Sequence, residues 1–338
     1  MQVKVSQAVR MIIAAIKAKV VPMLKGSPGT GKSQIVYQIA DTFNLQVIDI
    51  RLSQCDPTDL AGFPTITGSK ADYMPMAHFP IEGDPLPPGK AGWLLFLDES
   101  TSAPPAIQSA AYKLVLDRMV GSHHLHKNVA MVLAGNLETD GAIVHPMSTA
   151  LQSRLLHLEL VVDLKEWDEW ATTQGNIDYR ITSYILYKPG NLYTFSADHT
   201  DCTYACPRTW EFANRLMQVV SVDSPDFLPI MAGTLGEGVA REFVAFCKIH
   251  DELLRPTQIQ ANPETVAVPT EPSILFALTG SIAHNMGQAT VAAYMKFVAR
   301  LPTEFQVVCL RETIRRNKSL MIHPAIQKWI AESATNLF

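Results

Sequence analysis

"GSPGTGKS", residues 26–33, decides how this chain is read. Apolar Val20, Val21, Met23 and Leu24 precede it, and "KSQIVYQIADTF" leaves it with helical spacing. The stretch is therefore a tight connection from a buried strand into a helix. Gly26, Gly29 and Gly31 let the backbone wrap until successive N–H groups face one point, which is how phosphate oxygens are cradled. The helix that begins at Lys32 adds the positive end of its dipole. Ser27, Pro28 and Thr30 complete the loop, Lys32 is placed to bridge the β- and γ-phosphates, and the Ser33 hydroxyl to ligate Mg²⁺. A chance glycine-rich turn would lack the strand before it and the helix after it.

The loop alone does not say which phosphate chemistry follows. "GWLLFLDE" (92–99) is an apolar run of strand length that ends in two acids. Asp98, at the strand end, suits binding of Mg²⁺, and Glu99 suits orienting or deprotonating an attacking water. Adjacent acids there point to hydrolysis. "NVAMVLAGN" (128–136) is the next apolar run and ends in Asn136, whose amide can hold a water between the phosphate at Lys32 and Glu99. "MSTALQSRLLHLEL" supplies Arg154 directly before the last strand, where a neighbouring subunit can receive it at its γ-phosphate. Arg208, in "CPRTW", lies in the helical part of the chain and is a second cation for the same phosphate.

The remainder agrees with an α/β nucleotide-binding core. Strand-length runs at 45–52 and 155–162 join those already named, and alternation with helices implies a parallel, doubly wound sheet. Val5, Ala8, Val9, Ile12, Ile13 and Ile16 give residues 5–19 the spacing of an amphipathic helix. After residue 162 the pattern turns helical, at 163–175, 206–220, 239–254, 272–284 and 291–301, with 258–272 the clearest joint. The expected division is a core over 1–162, a helical lid over 163–260 and a helical extension over 261–338. The 338 residues suffice for these units, and a net charge of -4 gives no global attraction to nucleic acid. Five scattered cysteines and no membrane-length apolar run suit a cytoplasmic protein without a cleaved leader.

Taken together, the glycine loop, "LLFLDE", "AGN", the arginine before the last strand and the lid "PR" resemble an AAA+ ATPase of the MoxR-like branch over residues 20–220. More particular matches are "DPTDLAGFP" (56–64), "FLDESTSAPPAIQSAAYKLVLDR" (96–118) and "CPRTWEFANRL" (206–216). The resemblance implies ATP and Mg²⁺ as ligands. It makes Lys32 and Ser33 Walker A, Asp98 and Glu99 Walker B, Asn136 sensor 1, Arg154 the trans-acting finger and Arg208 sensor 2. It further implies a homo-oligomeric ring, a hexamer in similar proteins, acting on a protein partner that often bears a von Willebrand factor A-type domain. One hairpin is expected within the second helix at 65–77, turning at Gly68–Ser69, and another at 119–128. Leu155 departs from the Phe that relatives usually carry after the finger arginine.

Other features read as structural. His123, His124 and His126 are polar residues of a solvent-facing hairpin, Trp167 and Trp170 pack under a helix, and Arg118 is a solvated helix end. Cys202 and Cys206 lack the second pair that a zinc site needs. Two rival functions stay open at the sequence level. A nucleic-acid motor or loader would need a basic pore, for which only Lys70, Lys127 and the histidines are candidates. A nucleotide-dependent switch with negligible hydrolysis would leave the Asp98–Glu99 pair without a use.

Overall fold

The computed structural model describes residues 1–141, 144–252 and 255–333. They form two compact units: Met1–Asp163 with Ser196–His199, and Leu164–Phe195 with the chain from Thr200 on. Among the described residues no helix is long and apolar enough to cross a membrane.

The first unit begins with a two-residue strand, β1 (Gln2–Val3), and helix α1 (Val5–Lys17). Strand β2 (Val21–Lys25) delivers the glycine loop, and α2 (Lys32–Thr42) leaves it. Then come β3 (Leu45–Arg51), the short α3 (Pro57–Ala61), and β4 (Phe63–Thr67) paired with β5 (Lys70–Met74). Strand β6 (Gly92–Asp98) is followed by α4 (Pro105–Leu116), the small β7 (Met119–Val120) and β8 (His123–His124), and β9 (Val129–Gly135). Helix α5 (Thr149–Gln152) and β10 (Leu155–Leu160) complete the unit. The six long-range strands pair in parallel in the order β1-β10-β2-β9-β6-β3.

Both faces of this sheet are covered, which is why its central strands read as unbroken apolar runs rather than alternating ones. Leu94 and Phe96 of β6 and Val132 and Ala134 of β9 pack with Ile12 of α1 and Ile35, Val36 and Ile39 of α2. Their strand neighbours Leu95, Leu97, Met131 and Leu133 point the other way, into a core with Ile107, Ala111 and Leu114 of α4. The α/β class expected from the sequence is present, a parallel sheet wrapped by helices and followed by a helical region.

Both hairpins form. The first, β4–β5, turns at Gly68–Ser69 with Thr67 opposite Lys70, and the second is β7–β8. The first does not interrupt a helix, in contrast to the expectation. Helix α3 precedes it, capped by Asp59 Oδ2 accepting from the Asp56 amide at 2.8 Å, and no helix is present over residues 75–91. Five prolines in that span (Pro75, Pro80, Pro85, Pro87 and Pro88) remove the backbone donors a helix would use. His126 lies outside the second hairpin, half-buried, its ring 5.1 Å from that of Trp93 and its Nδ1 accepting from the Asn128 amide. Arg118 is not a solvated helix end either. Its guanidinium is half-buried and donates to the Val129 carbonyl, and burial lowers its pKa.

The second unit is helical. Its elements are α6 (Leu164–Thr173), α7 (Tyr179–Tyr187), α8 (Pro207–Met217), α9 (Phe227–Leu235) and α10 (Glu237–Glu252). They continue with α11 (Pro256–Ala261), α12 (Pro272–Asn285), α13 (Val291–Val298), α14 (Thr303–Arg316) and α15 (Pro324–Ser333). The helix expected over 239–254 includes Leu253 and Leu254, and the expected extension includes 334–338; these lie outside the described residues. Phe243 packs edge to face on Tyr184 and on Trp210, which are tilted against each other, where α7, α8 and α10 meet, and Trp167 is buried as expected. An ionic cluster joins α14 to α6 and α7. Arg315 pairs with buried Asp168, Glu312 lies 3.3 Å from Arg315, and Arg316 donates to Thr182 at 3.1 Å.

Candidate active site

The glycine loop closes on itself at the C-terminal end of β2. Gly29 (φ 78°) and Gly31 (φ 91°) take left-handed conformations that side chains disfavour, and Gly31 is the N-cap of α2. Those two turns aim the loop amides and the start of an 11-residue helix at one place. Thr30 Oγ1 donates to the Ser27 carbonyl at 2.9 Å, and the Gly26 amide donates to Gly135 of β9 at 3.3 Å. The Lys32 ammonium donates to the carbonyls of Gly26 and Ser27 and, at 3.0 Å, to Asn136 Oδ1.

Strand order supplies the rest. Because β9 lies between β2 and β6, the strand end carrying Asn136 is inserted between the loop and the two acids. Ser33 Oγ donates to Asp98 Oδ2 at 3.2 Å, a hydroxyl–carboxylate pair with the donor chemistry that Mg²⁺ takes at a phosphate site. Glu99 is a non-glycine residue at φ 55°, which turns its side chain away from the strand direction. Its amide donates to Asp98 Oδ1 at 2.8 Å, and its Oε2 accepts from the Ser53 hydroxyl. Ser53 was missed in the sequence. It follows β3, and only the parallel pairing of Arg51 with Asp98 carries it to Glu99.

Asn136 is fixed from behind by Thr101, a second residue the sequence does not single out. Thr101 Oγ1 accepts from the Asn136 amide at 2.9 Å and donates to the Asn136 carbonyl at 3.2 Å. Thr101 packs so closely that a Cβ on Gly135 would lie 2.5 Å from its Oγ1. The glycine of "AGN" is therefore a steric requirement. Asp140 is the third unforeseen residue, its Oδ1 accepting from Ser27 Oγ at 2.8 Å.

The two expected arginines belong to other segments of the chain. Arg154 is exposed at the start of β10, where Leu155 pairs with Val21, the first residue of β2. Its own glycine loop follows the last residue of β2, about 13 Å farther along the sheet at the usual rise per residue. Lys19, Val21, Leu116, Asp117 and Arg154 line a cavity of about 300 Å³ at that opposite end. Arg208 belongs to the second unit, exposed in the first turn of α8. That turn is held by Thr209 Oγ1, which accepts from the Cys206 amide at 2.8 Å, and by Trp210 Nε1, which donates to the Asn191 carbonyl.

No protein-family model and no curated protein matches the sequence. Solved structures similar to the chain include the RuvB Holliday junction branch migration motor of Thermotoga maritima, at 15% identity and a TM-score of 0.38, over 88% of this chain and 86% of that one. Another is a candidate ATPase from Cytophaga hutchinsonii, at 14% identity and a TM-score of 0.36, over 98% of this chain and 88% of that one. At these scores the likeness carries no conclusion of its own, and the functional reading rests on the geometry of the site.

Proposed function

We propose that the chain is a Mg²⁺-dependent ATPase of the AAA+ class and MoxR-like branch, which assembles with its own copies into a ring of six and remodels a partner protein. The observation that carries this reading is the meeting of three adjacent strand ends, with Lys32 on Asn136 and Ser33 on Asp98. The donor set fits the ligands. Loop amides and Lys32 suit the β- and γ-phosphates of ATP, and Ser33 with Asp98 suits Mg²⁺. When bound, the metal supplies neutralisation of charge on the phosphate oxygens.

The residues of the chain divide the remaining work. Glu99 orients the water and takes its proton as the oxygen attacks the γ-phosphorus in line and the bond to ADP breaks. Asn136 holds the same water from the β9 side while keeping Lys32 in place. Arg154 serves the γ-phosphate of a neighbouring copy, because its own loop is a strand length away, and Arg208, on the helical unit, is assigned the role of second cation. For the partner, the β4–β5 hairpin exposes Phe63, Ile66, Tyr73 and Met74, Ile66 to 82%. Apolar side chains held out on a hairpin suit a polypeptide better than a phosphate backbone, and we favour a protein with a von Willebrand factor A-type domain.

Phosphate release from ATP tests the reading. The wild-type protein is expected to hydrolyse ATP with Mg²⁺ and to stop on chelation. Glu99→Gln should keep ATP binding and lose turnover by about 10²–10⁴-fold. Lys32→Ala should lose ATP affinity itself in calorimetry. Near-wild-type turnover in Glu99→Gln would remove Glu99 from the mechanism, and unchanged affinity in Lys32→Ala would place the nucleotide elsewhere.

A further inference from the structure

Behind the glycine loop, hydrogen bonds close a circuit that the expected site residues do not account for. Asp140 ends the single turn Glu138–Asp140 and is 8% exposed. Its Oδ1 accepts from Ser27 Oγ at 2.8 Å and its Oδ2 from the Leu137 amide at 3.0 Å. Leu137 follows Asn136, whose Oδ1 accepts from Lys32 at 3.0 Å. Lys32 also donates to the Ser27 carbonyl at 3.2 Å. The path runs from Ser27 through Asp140 to Leu137 and Asn136, then through Lys32 back to Ser27.

The geometry points to Asp140 as a positioning residue that couples the phosphate loop to Asn136; this assignment rests on the ATPase reading above. A buried carboxylate is held by two donors, and here the two come from the two segments that must agree on where the water sits. One oxygen follows the loop and the other follows the backbone next to Asn136. Any movement of Ser27 as the loop wraps a phosphate is thereby passed to Leu137 and on to the Asn136 amide. Asp140 touches neither substrate nor water in this scheme. It acts through Asn136, and the Ser27 side chain is its handle on the loop.

The test uses the full chain with Ser27→Ala, Asp140→Ala, Asp140→Asn and the Ser27→Ala/Asp140→Ala double variant. Turnover is read together with KM for ATP, and exchange of the Leu137 amide is read by NMR or mass spectrometry without nucleotide. Asp140→Ala and Ser27→Ala should each lower kcat about tenfold, since each breaks the Ser27–Asp140 hydrogen bond that closes the path, with KM changing less than kcat. Asp140→Asn should recover part of the loss, since its amide can still meet both the hydroxyl and the Leu137 N–H. The double variant should be no worse than Asp140→Ala, because both break one path. Leu137 should exchange at least tenfold faster in Asp140→Ala, and faster in Ser27→Ala as well. Additive losses in the double variant, or Leu137 exchange unchanged in both single variants, would overturn the assignment. A wild-type protein that releases no phosphate would instead sink the ATPase reading, with Leu137 exchange still deciding whether the tether exists.

Discussion

Glu99 is held where few residues with a side chain settle, at φ 55°, and the Ser53 hydroxyl grips one of its carboxylate oxygens. Such conformations persist only when surrounding contacts impose them, and they concentrate at working sites. Ser53→Ala removes the grip and leaves the loop, Asp98 and the sheet untouched. Turnover should fall about tenfold with ATP affinity unchanged, which a phosphate assay beside calorimetry would measure. Unchanged turnover would show that Ser53 does not aim Glu99. At this scale the loop residues and the acid pair were legible, because each belongs to a run of local spacing next to a strand. Ser53, Thr101 and Asp140 were not. Each reaches the site through pairing between segments far apart in the chain, Ser53 through β3 on β6 and Asp140 through its bond to Ser27.

Among the elements, β9 matters most, since its place between β2 and β6 inserts Asn136 between loop and acids. Its last residue, Gly135, is in contact with Thr101, and Gly135→Ala would place a methyl 2.5 Å from Thr101 Oγ1. Overpacking of this kind costs about 1–3 kcal/mol. A lower melting temperature and a loss of turnover are expected together, because Thr101 holds the Asn136 backbone. Adding Thr101→Ser, which deletes the Thr101 methyl that would lie 2.7 Å from the new Cβ, should return part of both; no recovery would mean that crowding against this methyl is not the cause.

Strands of the core were legible because burial on both faces leaves continuous apolar runs. Several helices were not, for reasons their sequences show. Helix α11 runs into the stretch expected as a joint, and its six residues are too short to display a period. Helix α9 contains Pro229 and Gly233. Helix α14 hides its apolar stripe by burying Glu312 and Thr313 among Phe305, Cys309 and Leu310. Burial, and then the nearby Asp168, push the Glu312 carboxyl up to about 7 from an ordinary 4.5, against the pull of Arg315. The folded chain therefore keeps a proton that the unfolded chain releases between about 4.5 and about 7, so this group's contribution to stability is lost as pH rises across that window. Glu312→Gln should flatten the fall, raising stability above pH 7 relative to wild type and changing little near pH 4.5. Melting curves across that range decide it; parallel curves would mean that Glu312 titrates normally.

For the whole molecule, the decisive feature is that β10 and β2 are parallel and in register from Leu155 on Val21. Arg154 is thus at the opposite end of the sheet from its own loop, which fits the expected service to the phosphate of a second copy. The parallel sheet expected from the sequence, with Arg154 before its last strand, implied this polarity; the register of Leu155 on Val21 is a property of the sheet that the sequence could not show. Hydrolysis at a site shared between copies is tested most directly by mixing two inactive variants. Arg154→Ala keeps Glu99 but presents no arginine, with a loss on the order of 10³-fold, while Glu99→Gln presents the arginine but has no base. After labelled-subunit transfer has verified exchange, the mixture is expected to regain phosphate release that neither variant has alone, at a level set by the mixing ratio. Exchange without any recovered activity, or normal turnover by Arg154→Ala alone, would contradict it.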